Sequence, residues 1–218
     1  FQEAFHGNTP IITASATADG ILEDYRPWAF RNASRPRRSW PSALPRWLRA
    51  HGIKRPMLWY DETVPATRER GILLWRQFEH LTGQPLFAWR KLYSAHPRYN
   101  LYNEENFKRL ASQQPDGLIL FTLPHVGAQI IRELRRRNFT MPIFGDASFS
   151  NSMLTDSGGQ WVNGVTFATD YWAERPRQGL QQFRRRFRFF HPAHQFPAAA
   201  AVGAYETLLL LHSAMQAA

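Results

Sequence analysis

Between Thr13 and Asp19 the chain sets three hydroxyl side chains, Thr13, Ser15 and Thr17, at alternate positions behind the apolar run Pro10-Ile11-Ile12. Small hydroxyl residues in a loop just ahead of a helix present O–H groups and free backbone N–H groups, so the chemistry on offer is anion recognition, with a carboxylate as the natural guest. Ser15 and Thr17 also suit a plain ST turn with Asp19 capping the next helix, and on sequence alone both readings stand. Two acidic residues supply the opposite charge. Asp61 closes the run Met57-Leu58-Trp59-Tyr60, and Asp146 follows Met141-Pro142-Ile143-Phe144. Either could balance an ammonium, which makes a pocket for an amino acid chemically reasonable. Tyr60, Phe121 and Leu123, at the ends of apolar runs, are the expected walls of such a pocket.

Bond-making machinery is not legible. There is no cysteine, no Gly-x-Ser-x-Gly elbow and no Gly-rich phosphate loop closing on Lys-Ser or Lys-Thr, so neither a nucleophile nor a nucleotide cofactor is expected. His191 and His194 are close in sequence, but Pro192 and Pro197 beside them suggest an exposed loop, and no third ligand is near, so no metal is expected.

The 218 residues carry a formal charge of +10. Basic proteins attract polyanions, yet the arginines here are spread over every expected helix instead of forming one stripe, and nucleic acid is not the expected partner. The densest cluster, Phe183-Arg184-Arg185-Arg186-Phe187-Arg188-Phe189-Phe190, has two readings. It is either a stacking and charge surface for single-stranded nucleic acid or, as we favour, a surface helix that turns Phe183, Phe187 and Phe190 to the core. No apolar run reaches the roughly 18 residues that would span a bilayer. The opening residues Phe1 to Gly7 read as the end of a helix in a processed product or fragment.

The elements that must position these groups follow from periodicity. From Pro56 onward, short apolar runs alternate with longer helical patterns, the signature of βαβ units and a parallel sheet. Strands are expected at 57–60, 85–93, 117–121, 141–144 and 164–167. Gly117-Leu118-Ile119-Leu120-Phe121 is apolar throughout, as suits the sheet's centre. Helices are expected from Trp40 to His51, over 66–81, from an Asn103 cap through Ala111, over 125–137, over 178–190 and over 197–217. The Ser/Asn/Gly-rich stretch after Ser148 is expected to be irregular.

The order of these pieces resembles the type I periplasmic solute-binding proteins of ABC importers, in the branched-chain amino-acid (leucine/isoleucine/valine) binding family. The resemblance rests on Thr9-Pro10-Ile11-Ile12 with Ala16-Thr17-Ala18-Asp19, Trp28-Ala29-Phe30-Arg31-Asn32, Pro115-Asp116-Gly117-Leu118-Ile119, Pro142-Ile143-Phe144-Gly145-Asp146, Asn163-Gly164-Val165 and Ala204-Tyr205-Glu206. It implies an α/β protein of two lobes, with parallel sheets flanked by helices and the first lobe incomplete in this chain. Residues 1–32 and 170–218 would form part of lobe I and 33–169 lobe II, with hinge crossings near 30–32 and 167–170.

The resemblance further implies a non-enzymatic, periplasmic protein that captures an amino acid or related small polar ligand between its lobes and passes it to a membrane permease. A ligand-sensing domain of a receptor with the same fold is the alternative, and an Arg-rich nucleic-acid-binding protein a more distant one. Carried over, the family's carboxylate-binding loop falls on Ser15, Ala16 and Thr17, and its acidic ammonium partner near Asp146 or Ala147. The first aromatic position of the opposite lobe falls near Pro65, a departure from the family pattern.

Overall fold

The computed structural model describes residues 9–14, 16, 22, 27–33, 36–94, 104–169, 171, 175, 178–192 and 197–217, with side chains from 41 onward in the first helix. The chain divides into two compact units, Phe1–Arg35 with Asp170–Ala218, and Pro36–Thr169.

The second unit is built on five strands, β3 (Pro56–Asp61), β4 (Ala88–Leu92), β5 (Gly117–Phe121), β6 (Ile143–Gly145) and β7 (Thr166–Phe167). Their order is β4-β3-β5-β6-β7, and every pairing is parallel. Parallel neighbours need crossovers, and helices α1 (Pro36–Ala50), α2 (Pro65–Thr82), α3 (Glu104–Gln113) and α4 (Pro124–Arg136) flank the sheet. β3 and β5 are buried at every position, as the apolar runs Met57–Tyr60 and Gly117–Phe121 require of strands covered on both faces.

Alternation along the strands sorts the core into two layers. Met57, Trp59, Leu118, Leu120 and Ile143 pack with Phe107 and Leu110 of α3 and with Val126, Ile130, Ile131 and Leu134 of α4. Leu58, Tyr60, Ile119, Phe121 and Phe144 face the other way, onto Leu44, Trp47 and Leu48 of α1 and Leu74 and Phe78 of α2. Helix α1 holds Pro41 and Pro45 within its span, where each lacks an N–H for the helical ladder. Burial of Leu44, Trp47 and Leu48 offsets that loss.

Two helix boundaries expected from sequence recur. Gly52 and Gly83 follow α1 and α2 at φ of +63° and +73°, in the left-handed region that side chains resist. The stretch after Asp146 departs from expectation. In place of an irregular loop it forms a 3-10 turn at Ala147–Ser150, a short helix α5 (Met153–Gly158) and a second 3-10 turn at Gly159–Val162. Phe149, Leu154 and Val162 from this segment join the core layer under α4. These three apolar residues are too widely spaced to give a helical stripe, which is why periodicity missed them.

In the first unit, β1 (Ile11–Thr13) pairs in parallel with β2 (Ala29–Arg31). Helices α6 (Gln178–Phe190) and α7 (Ala199–Ala217) belong to the same unit. Gly203 is the point of closest approach, since a Cβ there would lie 2.7 Å from the Ala14 carbonyl oxygen. Asn32 fastens the end of β2 to α7, its amide donating to the Gly203 carbonyl at 3.2 Å and to Thr207 Oγ1 at 3.1 Å. Thr207 Oγ1 in turn donates to Gly203 O at 2.7 Å, so the cluster is internally satisfied.

Candidate site at the carboxyl ends of the strands

In an open parallel sheet the strands' carboxyl ends leave a crevice where the strand order reverses. Here β3 leads to β4 on one side and β5 lies on the other, so the reversal falls between β3 and β5. The loops Asp61-Glu62-Thr63 and Thr122-Leu123-Pro124 flank it.

Asp61 and Asp146, the two carboxylates expected to meet a ligand, are already engaged. Asp61 is fully buried. Its Oδ1 accepts from Thr63 N at 3.0 Å, Thr63 Oγ1 at 2.6 Å and Ser94 N at 3.3 Å, and its Oδ2 accepts from Ser94 Oγ. It therefore ties the end of β3 to the end of β4. Asp146 Oδ1 accepts from Ser148 N at 2.8 Å, capping the 3-10 turn, while Oδ2 forms a buried ion pair with Arg70 of α2. The positive partner foreseen for Asp146 on a ligand is supplied from within the chain. Sequence could not show this, because Arg70 lies 76 positions away.

The expected walls are also corrected. Tyr60 and Phe121 are core side chains, 1% and 0% exposed, on the face that packs against α1 and α2. Gly71 of α2 lets that helix lie directly on the Tyr60 ring, where a Cβ would overlap the ring carbons. Strand alternation sends both aromatics into the sheet face instead of its end. Leu123, the residue ahead of α4, is half-buried and packs partly on the opposite core layer.

Glu62 is the acidic group left at this edge. Its Oε1 accepts from Lys91 Nζ at 3.1 Å and lies 3.7 Å from Arg68 Nε, whereas its Oε2 is buried with no hydrogen-bond partner. The hydrogen bond to Glu62 raises the Lys91 pKa, favouring the charged ammonium. Burial pushes the neighbouring Tyr60 phenol up, Lys91 pulls it back, and Glu62, through its charge and a side-chain hydrogen bond, adds to the rise, keeping the phenol neutral. Across the reversal, Thr122 Oγ1 is buried and likewise makes no hydrogen bond. A polar atom buried without a partner is costly, so these two mark where hydrogen-bonding capacity at the strand ends is unspent. Both are ordinary polar residues following apolar runs, and nothing in their sequence setting distinguishes them from Asp61.

In the first unit, the backbone N–H of Ala16 donates to Thr13 Oγ1 at 3.0 Å. This is a hydroxyl-to-backbone turn on Thr13; the turn expected of Ser15 and Thr17 is a separate one. Ser15, Thr17 and Asp19 lie outside the described residues, as do the Asn103 cap, His194 and the segment Phe1 to Gly7. Among the described residues no group of three or more His, Cys, Asp or Glu could hold a metal. None of their helices is long and apolar enough to cross a membrane.

Comparison with known proteins gives three kinds of result. The family model described as "Periplasmic binding protein" matches residues 95–218. No curated protein matches the sequence. Among solved structures, the leucine binding protein LivK of Thermotoga maritima is similar at a TM-score of 0.83 and 18% identity, covering 99% of this chain and 59% of that one. LivJ of Streptococcus pneumoniae, solved in complex with isoleucine, gives 0.84 at 15% identity, with 100% and 60% covered. A solute-binding protein of an ABC transporter from Rhodopseudomonas palustris, in complex with 3,4-dihydroxybenzoic acid, gives 0.77 at 18%, with 98% and 57% covered. The chain thus spans about 60% of the length of these proteins. At such identities the likeness establishes the shared α/β fold of parallel sheets flanked by helices.

Proposed function

We propose, from the premise that this chain belongs to the periplasmic binding protein family, that it captures a small carboxylate-bearing solute for an ABC-type importer and carries out no reaction of its own. The observation that carries the reading is the reversal point of the parallel sheet, where the Glu62 carboxylate at the carboxyl end of β3 is an acceptor suited to a ligand's ammonium. Ligands of open α/β sheets bind at this kind of edge.

In this reading the ligand's anionic end is met by the loop Ser15-Ala16-Thr17, through hydroxyls and backbone N–H groups, as the resemblance implies. Glu62 takes the role first expected of Asp61 or Asp146. An amino acid brings both an anionic and a cationic end; an aromatic acid such as benzoate brings only the first. The solved relatives are named with ligands of both kinds, which supports a carboxylate as the shared feature. Binding shifts a conformational equilibrium only by its preference for one state, so capture and release need no covalent step. The permease partner and an extracytoplasmic location belong to the same proposal.

The test is a thermal-unfolding screen of the whole chain against the standard amino acids and a set of benzoates. A true ligand at 100 times its dissociation constant adds about 2.7 kcal/mol of stability. We expect at least one saturable rise in Tm, abolished by Thr17→Ala for every hit. Glu62→Gln is expected to weaken amino acids alone. A flat response across both panels overturns the proposal.

A further inference from the structure

The arginine-rich helix α6 is left unused by solute capture. Between residues 175 and 205 the chain has six arginines and no carboxylate. None of the residues of α6 is buried. Its aromatic residues divide into two sets. Phe183 stacks on Tyr205 of α7 with ring centroids 4.6 Å apart, and Phe187 packs against Phe183 and His191, so this pair is turned inward as the helical spacing requires. Phe190 was expected to share that face and does not. Phe189 and Phe190 are 80% and 72% exposed at the end of the helix, beside the exposed Arg185, Arg186 and Arg188.

Two adjacent phenyl rings in water, ringed by guanidinium groups, match a surface that is apolar beneath and anionic above. We propose that the carboxyl-terminal end of α6 docks on an anionic lipid bilayer, with Phe189 and Phe190 entering the interface and Arg185, Arg186 and Arg188 meeting lipid phosphates. Single-stranded nucleic acid is the less fitting guest. Base stacking needs ring faces open in series, whereas Phe189 and Phe190 lie edge to face at 89°, so one ring's edge covers the other's face. The reading is independent of the solute site, to which no residue of α6 is assigned.

Co-sedimentation of the whole chain with phosphatidylcholine vesicles, with or without phosphatidylglycerol, tests it. Binding is expected only to the anionic vesicles and should fall as salt is raised. Phe189→Ser with Phe190→Ser should weaken it about tenfold or more. Arg185→Gln, Arg186→Gln and Arg188→Gln together should weaken it about a hundredfold. All these side chains are exposed, so circular dichroism of the variants should match the parent. No partition, equal partition onto neutral vesicles, or partition that survives loss of both phenylalanines overturns the proposal. So does binding of an oligothymidylate through the same two rings without binding to vesicles.

Discussion

Removing the Asp146 carboxylate would leave the Arg70 guanidinium buried without its ion-pair partner. Breaking such a pair from one side costs about 3–5 kcal/mol, because a buried charge loses its compensation. Asp146→Ala is therefore expected to lower the unfolding free energy measured in urea by that amount, and Arg70→Met with Asp146→Leu to recover most of the loss. If the double variant is no more stable than Asp146→Ala, the pair is not what holds α2 against the end of β6. The example also marks what sequence conveys about single residues. It placed Asp61 and Asp146 at the strand ends, where they are, because an apolar run followed by Asp is a local pattern. It could not assign their partners, since the Arg70 contact spans 76 positions and the Ser94 contact with Asp61 spans 33. Long-range pairing depends on how helices are laid over the sheet, which no local spacing records.

Elements were more readable than contacts. The strands after Pro56 and the helices between them follow from apolar periodicity, and the continuous run Gly117–Phe121 does occupy the middle of the sheet. Helix α5 was not readable because it is only six residues long and its core contact is one leucine, Leu154. Nor does periodicity show how closely two elements approach. Gly71 lies within the helical pattern of α2, where alanine has the better intrinsic propensity. Gly71→Ala should nevertheless destabilise by about 1–3 kcal/mol, since the new methyl group meets the Tyr60 ring. Chemical denaturation reads this directly. A stabilised variant would mean that α2 can move off β3, and that Tyr60 is not confined as described.

For the whole molecule, the charge of +10 is too general to identify a partner. Its distribution is more telling, because Arg185, Arg186 and Arg188 of α6 are all exposed beside Phe189 and Phe190. Helix α7 adds a second surface feature, with Leu208, Leu209 and Leu210 all about half exposed or more. Large apolar side chains grouped on one helix call for cover.

The all-parallel sheet also has a kinetic side. No pair of its strands can close as a hairpin, and the pairing of Pro56 with Gly117 joins residues that a whole helix, strand and second helix separate. Closing such long loops comes before any reward from contact, so refolding should be slow for a unit of this size. Because β3 pairs over five positions with each of β4 and β5, the longest pairing of any strand in the sheet, it is the natural nucleus. Leu58→Ala should slow refolding measured by stopped-flow fluorescence, while Phe167→Ala on the last strand should mainly hasten unfolding. The reverse pattern would place the start of assembly at the β7 margin.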